Sequence, residues 1–168
     1  LIKMGYSDDL TDKAVDLLAA KSFESGWGCT GSEKLGKWHG PGKISEPGPY
    51  ATLIMIKLLL LFGDTYESII NGGAECLLHL WKESRTLHPY IFYMGTDFRK
   101  LKVPFIWYDI LHVLNVLSAF KDIHNDPRFL SMMDIVKQKA GQEFRFKSES
   151  IWTKWKGWEF CQKKEPSM

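Results

Sequence analysis

The feature that most constrains this chain is an alternation between two kinds of apolar pattern. Three segments place apolar residues at the 3.6-residue spacing typical of helices with one buried face. The first begins near Asp8–Asp9, the second runs over about Tyr66 to Lys82, and the third runs from Asp126 to about Lys139. The residues expected to face the core are Leu10, Ala14, Leu17 and Leu18, then Ile70, Ala74, Leu77, Leu78 and Trp81, then Phe129, Met132, Met133 and Val136.

The segments between these helices are apolar on almost every side. Tyr50–Phe62 and Val103–Phe120 are the clearest, and a shorter candidate at about Ser148–Trp158 continues the alternation. A helix that is apolar all round must be covered all round, so these segments are expected to form an inner layer. The order therefore predicts an all-α fold of three helical hairpins, spanning about 8–62, 66–120 and 126–158.

The turns after the outer helices resemble one another. Aligning Asp9 with Asp126, an offset of 117, places Trp27 opposite Phe144 in two turns that each contain a glycine. A fixed offset of this kind is the signature of an internal repeat. The turn Lys21–Trp27, K-S-F-E-S-G-W, resembles the Q-x-x-D-G-G-W turn of prenyltransferase and squalene-cyclase-like repeats, and Gln138–Phe144 is a weaker copy. The stretch from Glu149 to Pro166 also resembles bacterial members of that family whose function is uncharacterised.

The resemblance implies an α/α toroid, in which inner helices line a central cavity and outer helices shield them. Three hairpins are too few to close such a ring, so we expect an incomplete arc that is part of a longer protein. The family's known activities lack support in the sequence. Cyclases use a D-x-D-D motif, which this chain does not contain, and the zinc ligands of protein prenyltransferases find no match in spacing among Cys29, His39, Asp109 and His112.

An aspartate cluster opens the first helix. Asp8-Asp9-Leu10-Thr11-Asp12 spells D-D-x-x-D, the pattern with which isoprenoid synthases hold magnesium against a diphosphate. Carboxylates at a helix N-terminus also cap free backbone amides and interact favourably with the helix dipole. Asp126 occupies the same place in the third hairpin, where nothing suggests a metal. The capping interpretation is preferred, and no metal site is predicted.

A polar stripe lies on the otherwise apolar segment Val103–Phe120. Asp109, His112 and Asn115 recur at three-residue intervals, with Tyr108 beside them. If this stripe faces a cavity, Asp109 can orient His112 as a general acid or base near neutral pH. The alternative is that these polar groups pair with neighbouring helices or turn amides, as buried polar groups must.

Aromatic residues cluster on the two later inner segments. Trp107, Tyr108, Trp152, Trp155 and Trp158 are expected to belong to this cluster. Aromatic walls bind cations, sugars and flat apolar ligands, whereas large rings equally fill helix–helix cores. The candidate ligand-binding residues are therefore Trp107, Tyr108, Asn115, Trp152 and Trp155, and the expected ligand is an apolar or aromatic small molecule. No cofactor is specified.

Composition narrows the remaining classes. The 168 residues carry 22 basic and 20 acidic side chains, a balance that argues against a nucleic-acid-coating protein. Three scattered cysteines make no disulfide framework, and the longest apolar run is too short to span a bilayer. A cytoplasmic protein is expected. Two functions stay open: a ligand-binding or enzyme-like toroid with Asp109 and His112 as catalytic residues, and a non-catalytic helical-repeat module that binds another protein.

Overall fold

The computed structural model describes residues 2–5, 8–29, 34, 46–88, 92–103, 108–151 and 154. The chain divides into two compact units, Leu1–Tyr93 and Met94–Met168. The first unit contains helices α1 (Asp9–Ala19), α2 (Pro49–Leu59) and α3 (Glu67–Lys82). The second contains α4 (Ile110–Leu117), α5 (Pro127–Lys137) and two short strands, β1 (Lys102–Val103) and β2 (Ser150–Ile151). The prediction of a mainly helical protein is confirmed, and the predicted hairpin 66–120 spans the boundary between the units.

Short 3₁₀ segments occupy Ile2–Met4, Leu60–Tyr66, Lys121–Asn125 and Gln142–Phe144. Within the described ranges, no helix combines the length and apolar character that crossing a bilayer requires.

Helix α3 forms the centre of the first unit by packing along α2. All five residues predicted to face the core, from Ile70 to Trp81, are buried. The glycine pair in this helix, which costs helix propensity, serves close packing. A Cβ added to Gly73 would lie 3.0 Å from the Ile56 side chain and 3.0 Å from the Trp27 ring. The glycine therefore lets α3 approach both groups.

The turn after α1 is closed by Trp27. Its indole Nε1 donates to the Leu18 carbonyl at 3.1 Å, and its backbone amide donates to Thr52 Oγ1 at 3.0 Å. Ser22 and Trp27 form an isolated antiparallel bridge, and only 3% of Trp27 is exposed. Gly26 precedes it with φ +80°, and a Cβ there would lie 2.7 Å from Thr52 Oγ1. Trp27 therefore closes the first turn from within the core, as predicted.

Helices α1 and α5 have the same local design, in a register one residue from the predicted one. Asp8 caps α1 and Asp126 caps α5, so the caps are 118 positions apart, and each helix has 11 residues. The following turns differ. Phe23 donates its amide to Gly26, whereas Gly141 donates to Arg145, one residue further along. The predicted match of Trp27 with Phe144 is therefore wrong, and Phe144 is 80% exposed.

Two predicted helices are wrong in part. Within the predicted helix Val103–Phe120, α4 begins only at Ile110, because Asp109 has an extended backbone and acts as its cap. Residue 103 belongs to a strand, and residues 104–107 lie outside the described part. The predicted helix at 148–158 begins instead with β2, which pairs in parallel with β1 as Lys102–Ser150 and Val103–Ile151.

The expectation of an all-round covered α2 is also corrected. Its buried residues are Pro49, Thr52, Leu53, Ile56 and Leu59, which recur at helical spacing along one face. On another side, Ile54 is 39% exposed. Helix α2 thus carries apolar residues outside the face that it buries. Its hydrophobicity alone therefore does not place it in an inner layer.

Candidate functional site

Two places in the described chain are candidates for function. One is the predicted polar stripe around Asp109 and His112 in the second unit. The other is an exposed apolar surface on α1 in the first unit.

Asp109 joins the start of α4 to strand β1. Its Oδ1 accepts the backbone amide of His112 at 2.8 Å, which is the N-cap bond of α4. Its Oδ2 accepts the backbone amide of Lys102 at 3.2 Å. The amide of Ile110 donates to the Phe98 carbonyl at 2.9 Å and holds the same end of the helix. Both carboxylate oxygens therefore accept backbone amides.

The carboxyl of Asp109 is almost completely buried, with 1% of the residue exposed. Burial raises its pKa because a charged carboxylate is poorly solvated there. The amides of His112 and Lys102, together with the charges of those two residues, act in the opposite direction. This is the electrostatic balance of a satisfied structural carboxylate, although raised pKa values also occur at catalytic sites.

Lys102 extends the polar network towards the surface. Its Nζ lies 2.6 Å from Asp97 Oδ2 and 3.4 Å from the Tyr108 carbonyl. The hydrogen bond from Lys102 lowers the pKa of Asp97 and outweighs the opposing effect of partial burial. The Tyr108 ring is buried, with its centroid 5.0 Å from that of Phe98. This part of the predicted site is thus packed against the loop that precedes β1.

The structure does not bring all of the predicted site residues together. His112 is buried beside Asp109, with 8% of the residue exposed, whereas Asn115 is exposed to solvent. The stripe therefore divides between core and surface. Trp107, Trp152, Trp155 and Trp158 lie outside the described residues. The catalytic assignment of Asp109 and His112 stays a prediction, and the role that the structure shows for Asp109 is the capping of α4.

A second carboxylate, missed by sequence reasoning, holds β1 and β2 together. Glu149 accepts the Leu101 amide at 2.9 Å and returns its own amide to the Leu101 carbonyl at 2.8 Å. Lys139 Nζ lies 2.6 Å from the same carboxylate. Partial burial raises the pKa of Glu149, but the bonds from Lys139 and the Leu101 amide, together with the charges of Lys139 and Lys100, lower it overall. Its sequence neighbours carry no motif, so only the strand pairing reveals this role.

The aspartates that open α1 act as predicted by the capping interpretation. Asp8 accepts the Thr11 amide at 2.7 Å and caps the helix, and Asp9 and Asp12 lie in its first turn. Among the residues that the structure describes, no three histidine, cysteine or acidic side chains are arranged to hold a metal ion.

The second candidate site is the apolar face of α1. We call this surface the α1 face; it consists of Leu10, Ala14, Leu17 and Leu18. These residues were expected in the core, and this prediction is wrong. Leu10 is 76% exposed, Leu17 67% and Leu18 45%, and Ala14 is exposed as well. The helix instead buries Val15 and Ala19. These two lie about a third of a turn further round the helix, on the side that packs on α2.

Helix α1 is held in place from its other sides. The Trp27 indole bonds the Leu18 carbonyl near its C-terminus. The hydroxyl of Tyr66 donates to Asp16 Oδ1 at 2.5 Å, a bond that raises the pKa of Tyr66 to about 12. Both contacts leave the α1 face towards solvent. An apolar helix face that the first unit does not use for folding is therefore presented on a fixed helix.

The corresponding positions of α5 are partly buried. When the two caps are aligned, Leu10, Ala14, Leu17 and Leu18 correspond to Arg128, Met132, Ile135 and Val136. Met132 is fully buried, Val136 is 8% exposed, and Ile135 is half-buried. Helix α5 packs against α4, whose sequence is almost entirely apolar. Two of the four corresponding positions are thus buried in α5, whereas all four are exposed in α1.

Comparison with protein-family models, with curated proteins and with solved structures finds no match to this chain.

Proposed function

We propose that this protein is a helical interaction module, and that it binds another protein through the α1 face. The observation that carries the proposal is the exposure of Leu10, Leu17 and Leu18 along one side of a helix that is held in place from its other sides. Exposed apolar residues that lie next to one another commonly mark binding surfaces, whereas isolated ones are ordinary. Three leucines and an alanine on successive turns of one helix form a continuous stripe.

We also propose that the helices of this module form an arc of helical hairpins, which would act as the scaffold for the α1 face. The buried Trp27 turn and the matching caps of α1 and α5 support a repeat, and repeat proteins commonly bind partners on an exposed helical surface. The toroid arrangement implied by the family resemblance is retained as a proposal for the architecture.

The enzyme-like alternative has less support. Both oxygens of Asp109 accept backbone amides, so this carboxylate already has a structural role as the cap of α4 and the link to β1. A buried carboxylate that joins a strand to a helix is sufficiently explained by folding. The interaction module is therefore the function we prefer.

The experiment that tests this proposal is selection from an unbiased library of helix-forming peptides displayed on phage. The double variant Leu10→Ser/Leu17→Ser removes the centre of the α1 face. Leu130→Ser is the matched control, since Leu130 is an exposed leucine of α5 with 42% exposure. We expect selected peptides to bind the natural protein and the control, and to lose the double variant. Peptides that bind all three equally, or no enrichment, would contradict the proposal.

A further inference from the structure

The segment that follows α5 returns to β1 through a tight turn. Residues 141–151, which we call the strap, contain this turn and end with β2. The Gly141 amide donates to the Arg145 carbonyl at 2.7 Å, and the Arg145 amide donates to the Gln142 carbonyl at 3.2 Å. Glu143 and Phe144, at the centre of the turn, both have φ of +57°. The turn reverses the direction of the chain between α5 and β2.

The backbone at the centre of this turn is strained. Two consecutive residues with positive φ are typical of a type I′ turn, in which asparagine and glycine are preferred. A side chain with a Cβ atom is unfavourable in this left-handed region, and a bulky aromatic residue is especially so. The Phe144 ring offsets little of this cost through packing, because 80% of the residue is exposed. The turn therefore adopts a conformation that its own residues oppose.

The far end of the strap is docked by the Glu149 carboxylate. Its Oε2 accepts the Leu101 amide at 2.9 Å, and Lys139 Nζ lies 2.7 Å from its Oε1. The Leu101 carbonyl accepts the amides of Glu149 at 2.8 Å and Ser150 at 3.2 Å. Lys139 is fixed at the end of α5, since its own amide donates to the Val136 carbonyl at 3.0 Å. These contacts, which we call the Glu149 clasp, join the strap to α5 and to the residue before β1.

The strap itself is mostly exposed to solvent. Every residue from 141 to 147 is exposed, and both residues of β2 are half-buried. In α4, by contrast, Ile110, Val113 and Leu117 are fully buried. Segments with few buried contacts open locally at a lower free energy than the core does. The strap is therefore expected to open before α4.

We propose that the strap is a conformational device that undocks from β1 while α4 and α5 stay folded, and that the Glu149 clasp holds it closed against the strain of the turn. Once the strap is undocked, the chain no longer has to turn back on itself, so Glu143 and Phe144 can return to negative φ. Undocking also frees the edge of β1 that β2 covers, and a free strand edge can pair with another extended segment. The proposal concerns the second unit and does not depend on the α1 face.

Hydrogen exchange of the full chain, followed by NMR, provides the test. The reporters are the amides of Leu101, Glu149 and Ser150, whose bonds join the strap to β1, and the amides of α4 serve as reference. In the natural protein we expect the reporters to exchange on the order of tenfold faster than the reference, or more. Phe144→Gly relieves the strain, whereas Phe144→Ala removes the same ring and keeps a Cβ atom. We expect Phe144→Gly to slow the reporters about threefold to tenfold relative to Phe144→Ala.

A second variant tests the clasp separately from the turn. Glu149→Gln keeps an oxygen that can accept the Leu101 amide, and loses the charge that attracts Lys139. We expect the reporters to exchange severalfold faster in this variant. Adding Phe144→Gly to it is expected to restore part of the lost protection. The matched control Asp134→Asn, which changes an exposed acid of α5, is expected to leave the reporters unchanged.

Three results would overturn the inference. Reporters that exchange as slowly as the α4 amides would show that the strap opens only when the second unit unfolds. Exchange in Phe144→Gly that is as fast as in Phe144→Ala, or faster, would show that the turn exerts no strain on the strap. Unchanged exchange in Glu149→Gln would show that the clasp does not hold the strap closed.

Discussion

Replacing Trp27 by alanine tests the best-defined packing interaction of the first unit. The side chain is 97% buried, since 3% of the residue is exposed, and its ring lies against Gly73 of α3. The change removes the ring from the core and leaves the Leu18 carbonyl without the indole hydrogen bond. Large aromatic-to-alanine changes in cores cost about 3–5 kcal/mol, and a lost hydrogen bond accounts for about 1 kcal/mol within that range.

The assay is urea denaturation at pH 7, followed by circular dichroism at 222 nm. We expect Trp27→Ala to lower the free energy of unfolding by about 3–5 kcal/mol, a large part of the stability of a typical domain. Phe144→Ala is the control at the position that sequence alignment pairs with Trp27. Because Phe144 is 80% exposed, its loss is expected to change stability by less than about 0.5 kcal/mol. A loss below about 1 kcal/mol for Trp27→Ala would refute the packing described for this turn.

Three further predictions concern the α1 face and the capping aspartates. Leu10→Ser/Leu17→Ser is expected to change the free energy of urea unfolding by less than about 1 kcal/mol, because both side chains are solvent-exposed. A larger loss would mean that these leucines serve folding. Asp109→Ala is expected to cost about 2–3 kcal/mol in the same assay, since it removes the cap of α4 and leaves the Lys102 amide unpaired. Asn115→Ala, at an exposed position, is the control, and equal effects of the two changes would refute the capping role. Asp126 has a pKa lowered below 3.8 chiefly by its hydrogen bond with Arg128, so the stability it contributes is present above pH of about 3.8 and is lost as the pH falls through its folded pKa. Asp126→Asn should therefore destabilise the protein at pH 7 and have a smaller effect near pH 3, and an effect that is constant between these pH values would contradict the assignment.

Local physical chemistry accounts for what could be predicted from sequence. The start of α5 follows from Asp126, whose side chain bonds the Arg128 amide, and from a proline in the first helical position. The core side of α3 follows from its spacing, because one continuous stripe from Ile70 to Trp81 is the only extensive apolar face of that helix. Signals of this kind depend on residues a few positions apart.

Helix α1 shows why periodicity can indicate the wrong side. It carries two apolar faces, the larger with Leu10 and Leu17 and the smaller with Val15 and Ala19. Periodicity favours the larger face, whereas the Trp27 turn orients the helix so that the smaller one is buried. Which face of α1 is buried depends on the bond between Trp27 and Leu18, nine positions apart, and on the packing of α1 against α2. The second apolar pair, Val15 and Ala19, is the sequence signal from which the exposure of the larger face could have been inferred.

For the site around Asp109, the sequence identified Asp109 and His112 as neighbours but did not predict how they are arranged. Its three-residue spacing to His112 indicates one helix face only if the helix begins before Asp109. Since the helix begins after it, the same spacing becomes an N-cap bond to the His112 amide. The pairing of β1 with β2 joins Lys102 to Ser150, 48 positions further along the chain, and no local sequence pattern predicts it.

Hydrogen exchange with mass spectrometry tests the central claim most directly. The full chain is labelled alone and in the presence of a peptide obtained by the phage selection. If the α1 face is the binding surface, amides of Asp9–Ala19 exchange more slowly in the complex, while those of Pro127–Lys137 keep their rates. Protection confined to the second unit, or unchanged exchange throughout α1 at saturating peptide, would contradict the account.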